Sequence, residues 1–150
     1  MMTEKDYCDY DTCVALKELG YKVPTSAYYM PNNNQLILVL NQFRGGAAMD
    51  CFYSNNSLPK ECMESDFIDA PTMWEAQKWL REEKGIYVVP ELGLIHRNKT
   101  SIIHYYRVLV KNMNNGIIIT LDNDRDDFES YEEALLEGIK EAVKLLKEEK

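Results

Sequence analysis

The stretch that decides the fold is SYEEALLEGIKEAVKLLK, residues 130–147. Ser130 and Glu133 have the spacing of a capping box, so a helix is predicted to begin at Ser130 and to run to about Lys147. Apolar residues recur in it at intervals of three and four, which is typical of an amphipathic helix. They are Ala134, Leu135, Gly138, Ile139, Ala142, Leu145 and Leu146, with Leu136 and Val143 widening the stripe. A stripe this wide favours a helix that lies across a β-sheet.

The residues before this helix predict the sheet. Strand-like patterns occupy residues 86–89, 101–111 and 116–121, and a continuation of the first strand past Pro90 to Ile95 is left open. Between the last two strands, NMNNG at 112–116 ends in an Asn-Gly pair, which supplies the positive φ angles of a hairpin turn. We therefore expect the last three strands to form an antiparallel meander.

A second helix is predicted in APTMWEAQKWLREEKG, residues 70–85, where Thr72 and Glu75 form another capping box and Gly85 ends the helix. At 100° per residue, its packed stripe comprises Met73, Ala76, Trp79 and Leu80. Trp74 falls on the flank of this stripe, near Lys78 and Arg81, and we expect it to be partly exposed.

The N-terminal part predicts a short helix and a hairpin. The helix is expected over about Thr12 to Leu19, with Asp11 as its N-cap and Gly20 ending it. Residues 26–30 and 35–41 flank the turn-rich PNNN and predict a hairpin, whereas 44–69 is expected to be mostly loop. The sequence thus predicts a single α+β domain over 1–150. Its three helices pack on an antiparallel sheet of about five strands, in the order α-β-β-α-β-β-β-α.

Composition and charge restrict the classes of partner. The chain has 150 residues, of which 45% are hydrophobic and 28% charged, as in an ordinary globular domain. Seventeen Lys and Arg against 25 Asp and Glu give a net charge of −8, which disfavours nonspecific binding to nucleic acid or to an anionic membrane. The N-terminal sequence has no secretory pattern, and the longest apolar run covers only residues 36–40. We therefore expect a cytoplasmic protein without a nucleic-acid or membrane partner.

The chain resembles a family of small uncharacterised proteins encoded by bacteria and their phages or prophages. The residues that carry the resemblance are APTMWEAQKWLREEKGI at 70–86 and SYEEALLEGIKEAVKLL at 130–146, with a looser likeness in LKELGY at 16–21. The resemblance implies an α+β outline and a mobile-element context. It implies no activity and no catalytic residues.

A run of acidic residues before the last helix is the clearest candidate for a metal site. Asp122, Asp124 and Asp126 stand at positions 1, 3 and 5 of a calcium-loop spacing, with Ser130 at 9 and Glu133 at 12. Asp127, however, stands where the sharp turn of such a loop needs glycine, and a strand precedes the loop instead of a helix. Acidic residues before a helix also interact favourably with its dipole without any metal. We favour the metal-free interpretation, with a Ca²⁺ or Mg²⁺ site at Asp122, Asp124, Asp126 and Glu133 as the alternative.

Other reactive side chains do not form a recognisable catalytic set. The chain has two histidines, of which His104 is expected to be partly buried on a strand and His96 to lie near the surface. Because the N-terminal sequence has no secretory pattern, reduced thiols are expected for the four cysteines. Their spacing matches no zinc motif, so no role is assigned to them. They are Cys8, Cys13, Cys51 and Cys62.

Aromatic residues suggest a protein-binding surface. Tyrosines occur in the pairs Tyr28-Tyr29 and Tyr105-Tyr106, and adjacent strand residues point to opposite faces, so one of each pair is expected to be exposed. Tyr and Trp are enriched in protein interfaces. We therefore predict Trp74, Tyr28 and Tyr105 as partner-binding residues.

Three functions remain at this point. A non-enzymatic protein-binding or accessory module is favoured, and a metal-dependent protein or enzyme using the Asp122 to Asp126 loop is the main alternative. An acidic DNA mimic is the third possibility, but Lys140, Lys144 and Lys147 interrupt the acidic residues of the last helix.

Overall fold

A computed structural model describes residues 3–30, 34–38, 67–96, 102–121 and 128–149. Within these residues, three α-helices accompany six strands in two three-stranded antiparallel sheets, so the predicted α+β class is confirmed. The number of strands agrees roughly with the prediction, but they form two sheets and not one. The chain divides into two compact units, Met1–Thr72 and Met73–Lys150, each described below by itself. The expectation of a single domain stays a prediction.

The first helix begins earlier than expected. A 3₁₀ helix at Glu4–Asp6 precedes α1, which spans Tyr10–Glu18. The N-cap is Asp9, whose carboxylate accepts a hydrogen bond from the Thr12 backbone N–H at 2.9 Å. Asp11 lies inside the first turn of α1, two residues after the N-cap, so the prediction of Asp11 as the N-cap is wrong. Gly20 adopts a φ of +99° just after the helix, as predicted.

The strands of the first unit are short. β1 is Ala27–Tyr29, β2 is Leu36–Leu38 and β3 is Ile68–Asp69, in the sheet order β2-β1-β3. Pairing of Ala27 with Leu38 and of Tyr29 with Leu36 confirms the predicted hairpin. β3 was not expected, because a two-residue strand is too short to show an alternating pattern. Most of the stretch predicted as loop lies outside the described residues.

The second unit closely follows the sequence. It contains α2 at Met73–Lys84, β4 at Ile86–His96, β5 at Ile102–Asn112, β6 at Ile118–Leu121 and α3 at Tyr131–Glu148. The sheet order β4-β5-β6 confirms the antiparallel meander. The buried residues of α2 are the predicted ones, Met73, Ala76, Trp79 and Leu80.

α3 packs tightly on one face of this sheet, against β4 and β5. A Cβ atom added at Gly138 would lie 2.5 Å from Cγ1 of Val88 and 2.6 Å from Cγ2 of Val108. Glycine therefore allows the helix backbone to approach two neighbouring strands closely. None of the helices in the described part of the chain is long and apolar enough to cross a bilayer.

The capping box predicted at the start of α3 consists of two hydrogen bonds, and the structure agrees with one of them. The Ser130 hydroxyl accepts from the Glu133 N–H at 3.1 Å. The Glu133 carboxylate accepts from the N–H of Glu129 at 3.2 Å, one residue before the N-cap. Both bonds satisfy backbone donors at this end of the helix.

Candidate functional site

A small cavity lies between α2, β4 and the first turn of α3. Its volume is about 110 Å³. Its walls combine aromatic and aliphatic side chains with an amide and a guanidinium group. The lining residues are Gln77, Arg81, Tyr87, Val88, Val89, Pro90 and Tyr131.

One hydrogen bond fixes the helical wall of the cavity to the strand. Gln77 Nε2 donates to the backbone carbonyl of Val88 at 2.7 Å. Arg81 lies one helical turn further along α2, on the same side as Gln77. Folding thus uses the amide of Gln77, while Arg81 is exposed and lines the cavity.

The two tyrosines of the cavity are accessible. Tyr87 is 40% exposed and Tyr131 37% exposed. The ring of Tyr131 packs edge-on against Tyr106, with centroids 6.4 Å apart. This contact orients Tyr131 while leaving part of its ring exposed.

Trp74 extends the same surface along α2. It is 36% exposed, whereas Trp79 is 7% exposed, so the predicted difference between the two tryptophans is confirmed. Positions 74, 77, 78 and 81 lie on adjacent parts of one helical face. We call Trp74, Lys78, Arg81, Tyr87 and Tyr131 the α2 surface.

The α2 surface includes two cations, Lys78 and Arg81, with Glu75 and Glu82 close to Lys78 on the same helix. Lys78 and Arg81 are both exposed. The ion pairs Arg107–Glu91 and Lys140–Glu137 lie elsewhere, and no ion pair to Lys78 or Arg81 occurs within the described ranges. Both side chains are exposed to solvent on α2.

A second exposed region surrounds β6, which is an edge strand of its sheet. Met113, Ile117 and Ile118 are 65%, 54% and 61% exposed. Every residue from 112 to 121 is uncharged. An edge strand of this kind presents open backbone groups beside apolar side chains.

The predicted tyrosines do not behave alike. Tyr28 and Tyr29 are both buried, so the expectation that one of them is exposed is wrong. β1 is the central strand of its sheet, and the two rings are covered by Phe67 and Tyr10, with centroid distances of 5.3 and 5.5 Å. Tyr105 belongs to β5, and its side chain lies outside the described part of the structure.

The metal hypothesis falls largely outside the described residues. Asp122, Asp124 and Asp126 are among those not described, while Glu133 is exposed and accepts the hydrogen bond from Glu129. Among the described residues, no group of three or more His, Cys, Asp or Glu could hold a metal ion. A Ca²⁺ or Mg²⁺ site therefore stays a prediction.

The described thiols are buried in the first unit. Cys8 and Cys13 are free, and the Cys13 Sγ donates to the backbone carbonyl of Cys8 at 3.5 Å. Hydrogen bonding with Cys8 and burial both raise the pKa of the Cys13 thiol, which keeps it protonated and unreactive. Cys51 and Cys62 lie outside the described residues. His96 ends β4 and His104 belongs to β5.

Sequence reasoning missed Tyr87, Tyr131 and the exposed isoleucines. The strand pattern of 86–89 indicates that Tyr87 points away from its neighbours Ile86 and Val88, and this signal was available. The position of Tyr131 beside β4 and the edge position of β6 depend on tertiary packing. Comparisons with protein-family models, with curated proteins and with solved structures found no match to this chain.

Proposed function

We propose that this protein is a non-enzymatic, cytoplasmic protein-binding module, an accessory protein of phage or prophage type, and that its partner binds the α2 surface. The observation that carries the proposal is the grouping of exposed Arg81, Tyr87 and Tyr131 around one cavity, with exposed Trp74 on the adjoining part of α2. Trp, Tyr and Arg are the residue types that contribute most to the affinity of protein interfaces.

The charge of the surface indicates the kind of partner. Arg81 and Lys78 favour a partner that places an acidic side chain at the cavity. The tyrosine rings and Pro90 favour an apolar side chain next to that acid. An acidic segment with an adjoining apolar residue therefore fits best.

The location and the genetic context rest on other observations. The free thiols of Cys8 and Cys13 support a reducing compartment such as the cytoplasm. The resemblance of residues 70–86 and 130–146 to bacterial and phage proteins supports the mobile-element context. Neighbouring genes of phage type would support that context further, and neighbours with housekeeping roles would contradict it.

Affinity capture from extracts of the native host tests the binding function. The bait proteins are the wild-type chain, the double variant Trp74→Ala with Arg81→Ala, and the control variant Lys144→Ala, whose exposed lysine lies on α3. We expect the wild type and the control to retain the same host protein and the double variant to lose it. Raising the salt concentration should weaken retention, because it screens the attraction between Arg81 and an acidic partner.

Thermal unfolding of each bait checks that the variants are folded. We expect the double variant to fold, because neither substitution removes a buried side chain. Retention of the same proteins by all three baits would refute the α2 surface as the binding site. The metal-binding alternative concerns Asp122, Asp124 and Asp126, and a separate calcium titration tests it.

A further inference from the structure

We propose that β6 pairs antiparallel with β6 of a second copy of this chain, so that a two-fold dimer forms with a continuous six-stranded sheet. The proposal concerns the edge strand and not the α2 surface, and it therefore stands independently of the proposed function. It rests on the backbone geometry of β6, its exposed side chains and its lack of charge.

Hydrogen bonds within the sheet show which backbone groups of β6 point outwards. The Asn112 N–H donates to the Ile117 carbonyl at 2.8 Å, so Ile117 directs its backbone groups towards β5. Alternation along the strand gives Ile119 and Leu121 the same direction. Ile118 and Thr120 therefore direct their N–H and C=O groups away from β5, where a further strand could pair with them.

At the opposite edge of the sheet, the residues from Val88 to Glu91 hinder the addition of another strand. The Val88 carbonyl points away from β5 and is the acceptor for Gln77 on α2. Two residues later, at the equivalent outward position, Pro90 has no N–H to offer. Glu91 then adds a charge to this edge. Proline and charged residues are common means of preventing edge-to-edge pairing, and β6 contains neither.

A two-fold axis perpendicular to the sheet determines the register of the pairing. This axis joins each face of the sheet in one copy to the same face in the other copy. The side chains of two opposing residues must therefore lie on the same face. In the register centred on Ile119, Ile118 of each copy lies opposite Thr120 of the other, and Ile119 lies opposite itself. Both Ile118–Thr120 pairs then exchange N–H and C=O groups, giving four backbone hydrogen bonds.

The strand is already held in the conformation that pairing requires. The Asn115 carboxamide oxygen accepts from the Ile117 N–H at 2.9 Å, and the Asn112 carboxamide oxygen accepts from the Asn114 N–H at 2.9 Å. Asn114 in turn donates to the Lys84 carbonyl at the end of α2. Because these contacts order the turn before association, little conformational entropy is lost when a second strand binds.

The self-complementary register of β6 favours a second copy as the occupant, and its lack of charge lowers the repulsion between two acidic copies. Two copies of a chain with a net charge of −8 repel each other over most of their surfaces, but residues 112–121 are neutral. The exposed Ile118 and the half-buried Ile119 and Leu121 are apolar, so β6 is complementary to itself in the register above. The uncharged edge is where two acidic copies can meet at the lowest electrostatic cost.

Molar mass in solution, measured by light scattering over a concentration series, tests the proposal with the full chain. The test variants are Ile118→Lys, which adds charge at the edge, and Thr120→Pro, which removes an outward N–H. Pro90 shows that this sheet accommodates proline at an outward position of an edge strand. The control is Val23→Lys, which makes a similar change at another exposed apolar residue, 44% exposed, far from β6 in the sequence.

We expect the wild type and Val23→Lys to reach twice the 17.5 kDa mass of the chain, and Ile118→Lys and Thr120→Pro to remain at the mass of one chain. Unchanged circular dichroism verifies folding of each variant. Added NaCl should strengthen the dimer, because it screens repulsion between the acidic copies. The double variant Trp74→Ala with Arg81→Ala should dimerise normally, which separates this test from that of the proposed function.

Two results would overturn the proposal. One is a wild-type chain that stays monomeric at every concentration. This result counts against the dimer even if a host protein binds the β6 edge of the wild type and not that of Ile118→Lys. The other is a dimer that persists in both folded edge variants.

Discussion

The two edges of the β4-β5-β6 sheet have opposite chemistry. At the β4 edge, Gln77 satisfies the carbonyl of Val88, and Pro90 and Glu91 follow. At the β6 edge, Ile118 and Thr120 direct backbone groups outwards, and every residue is uncharged. Among the described residues, the β4 edge is thus partly covered by the folded chain, whereas no strand pairs with the outer edge of β6.

This difference shows how folding and association share one sheet. α2 and α3 pack against β4, and the Val88 carbonyl at its outer edge accepts a hydrogen bond from Gln77. The same packing creates the cavity lined by Arg81 and Tyr131. Variants of the covered side should therefore change the free energy of unfolding, whereas variants of β6 should change association.

The largest effect is expected at Gly138, on the covered side. Gly138→Ala places a Cβ atom against the stiff side chains of Val88 and Val108, and we expect overpacking to destabilise the protein by about 1–3 kcal/mol. Alanine has the higher helix propensity, so a purely local effect would have the opposite sign. Chemical denaturation measures the difference, with Glu137→Ala as the control. An unchanged or higher midpoint would show that α3 does not approach the sheet this closely.

The cap of α3 should have the next largest effect. Ser130→Ala removes the oxygen that accepts from the Glu133 N–H, and the expected loss of stability is about 1 kcal/mol. Ser130→Asp keeps an acceptor at the N-cap and should recover most of the lost stability. Equal midpoints for the alanine variant and the wild type in urea would contradict the cap.

The hydrogen bond that closes the β4 edge should contribute up to about 1 kcal/mol. Gln77→Ala leaves the Val88 carbonyl without this donor, and Lys78→Ala changes the neighbouring exposed residue as a control. Hydrogen exchange of β4 amides should accelerate in the first variant and not in the second. Identical exchange in both would mean that Gln77 does not protect this edge.

Fluorescence quenching compares the outer and inner faces of α2. In Trp79→Phe the remaining Trp74 should be quenched readily by acrylamide, whereas in Trp74→Phe the buried Trp79 should be protected. More efficient quenching of Trp79 than of Trp74 would contradict the assignment of the buried and exposed faces of α2.

The smallest effect is expected from calcium at the acidic segment between β6 and α3. A specific site would raise stability by about 2.7 kcal/mol at a hundredfold excess over Kd. We expect only the weak change that monovalent salt produces at the same ionic strength, because Asp127 replaces the turn glycine and β6 replaces the entering helix. A calcium-specific rise in Tm that is lost in Asp122→Asn with Asp124→Asn would establish the metal site.

Much of the second unit was predictable because its signals are local. The spacing of apolar residues defines the buried faces of α2 and α3, and Gly85 and Gly116 mark an end and a turn through their positive φ angles. The two tryptophans of α2 were assigned correctly for the same reason. Asp9 and Asp11 show where local signals become ambiguous, because either carboxylate can cap a helix and the backbone conformation selects one.

The sequence by itself therefore determined the α+β class, the meander of β4 to β6 and the apolar faces of its two helices. The tertiary structure was needed to show that Tyr28 and Tyr29 are both covered, that Tyr131 joins Arg81 at one cavity and that β6 is an edge strand of the described sheet. The reason is physical. Periodicity records which side of an element is apolar, whereas exposure depends on contacts between residues far apart in the chain, such as Gly138 against Val88.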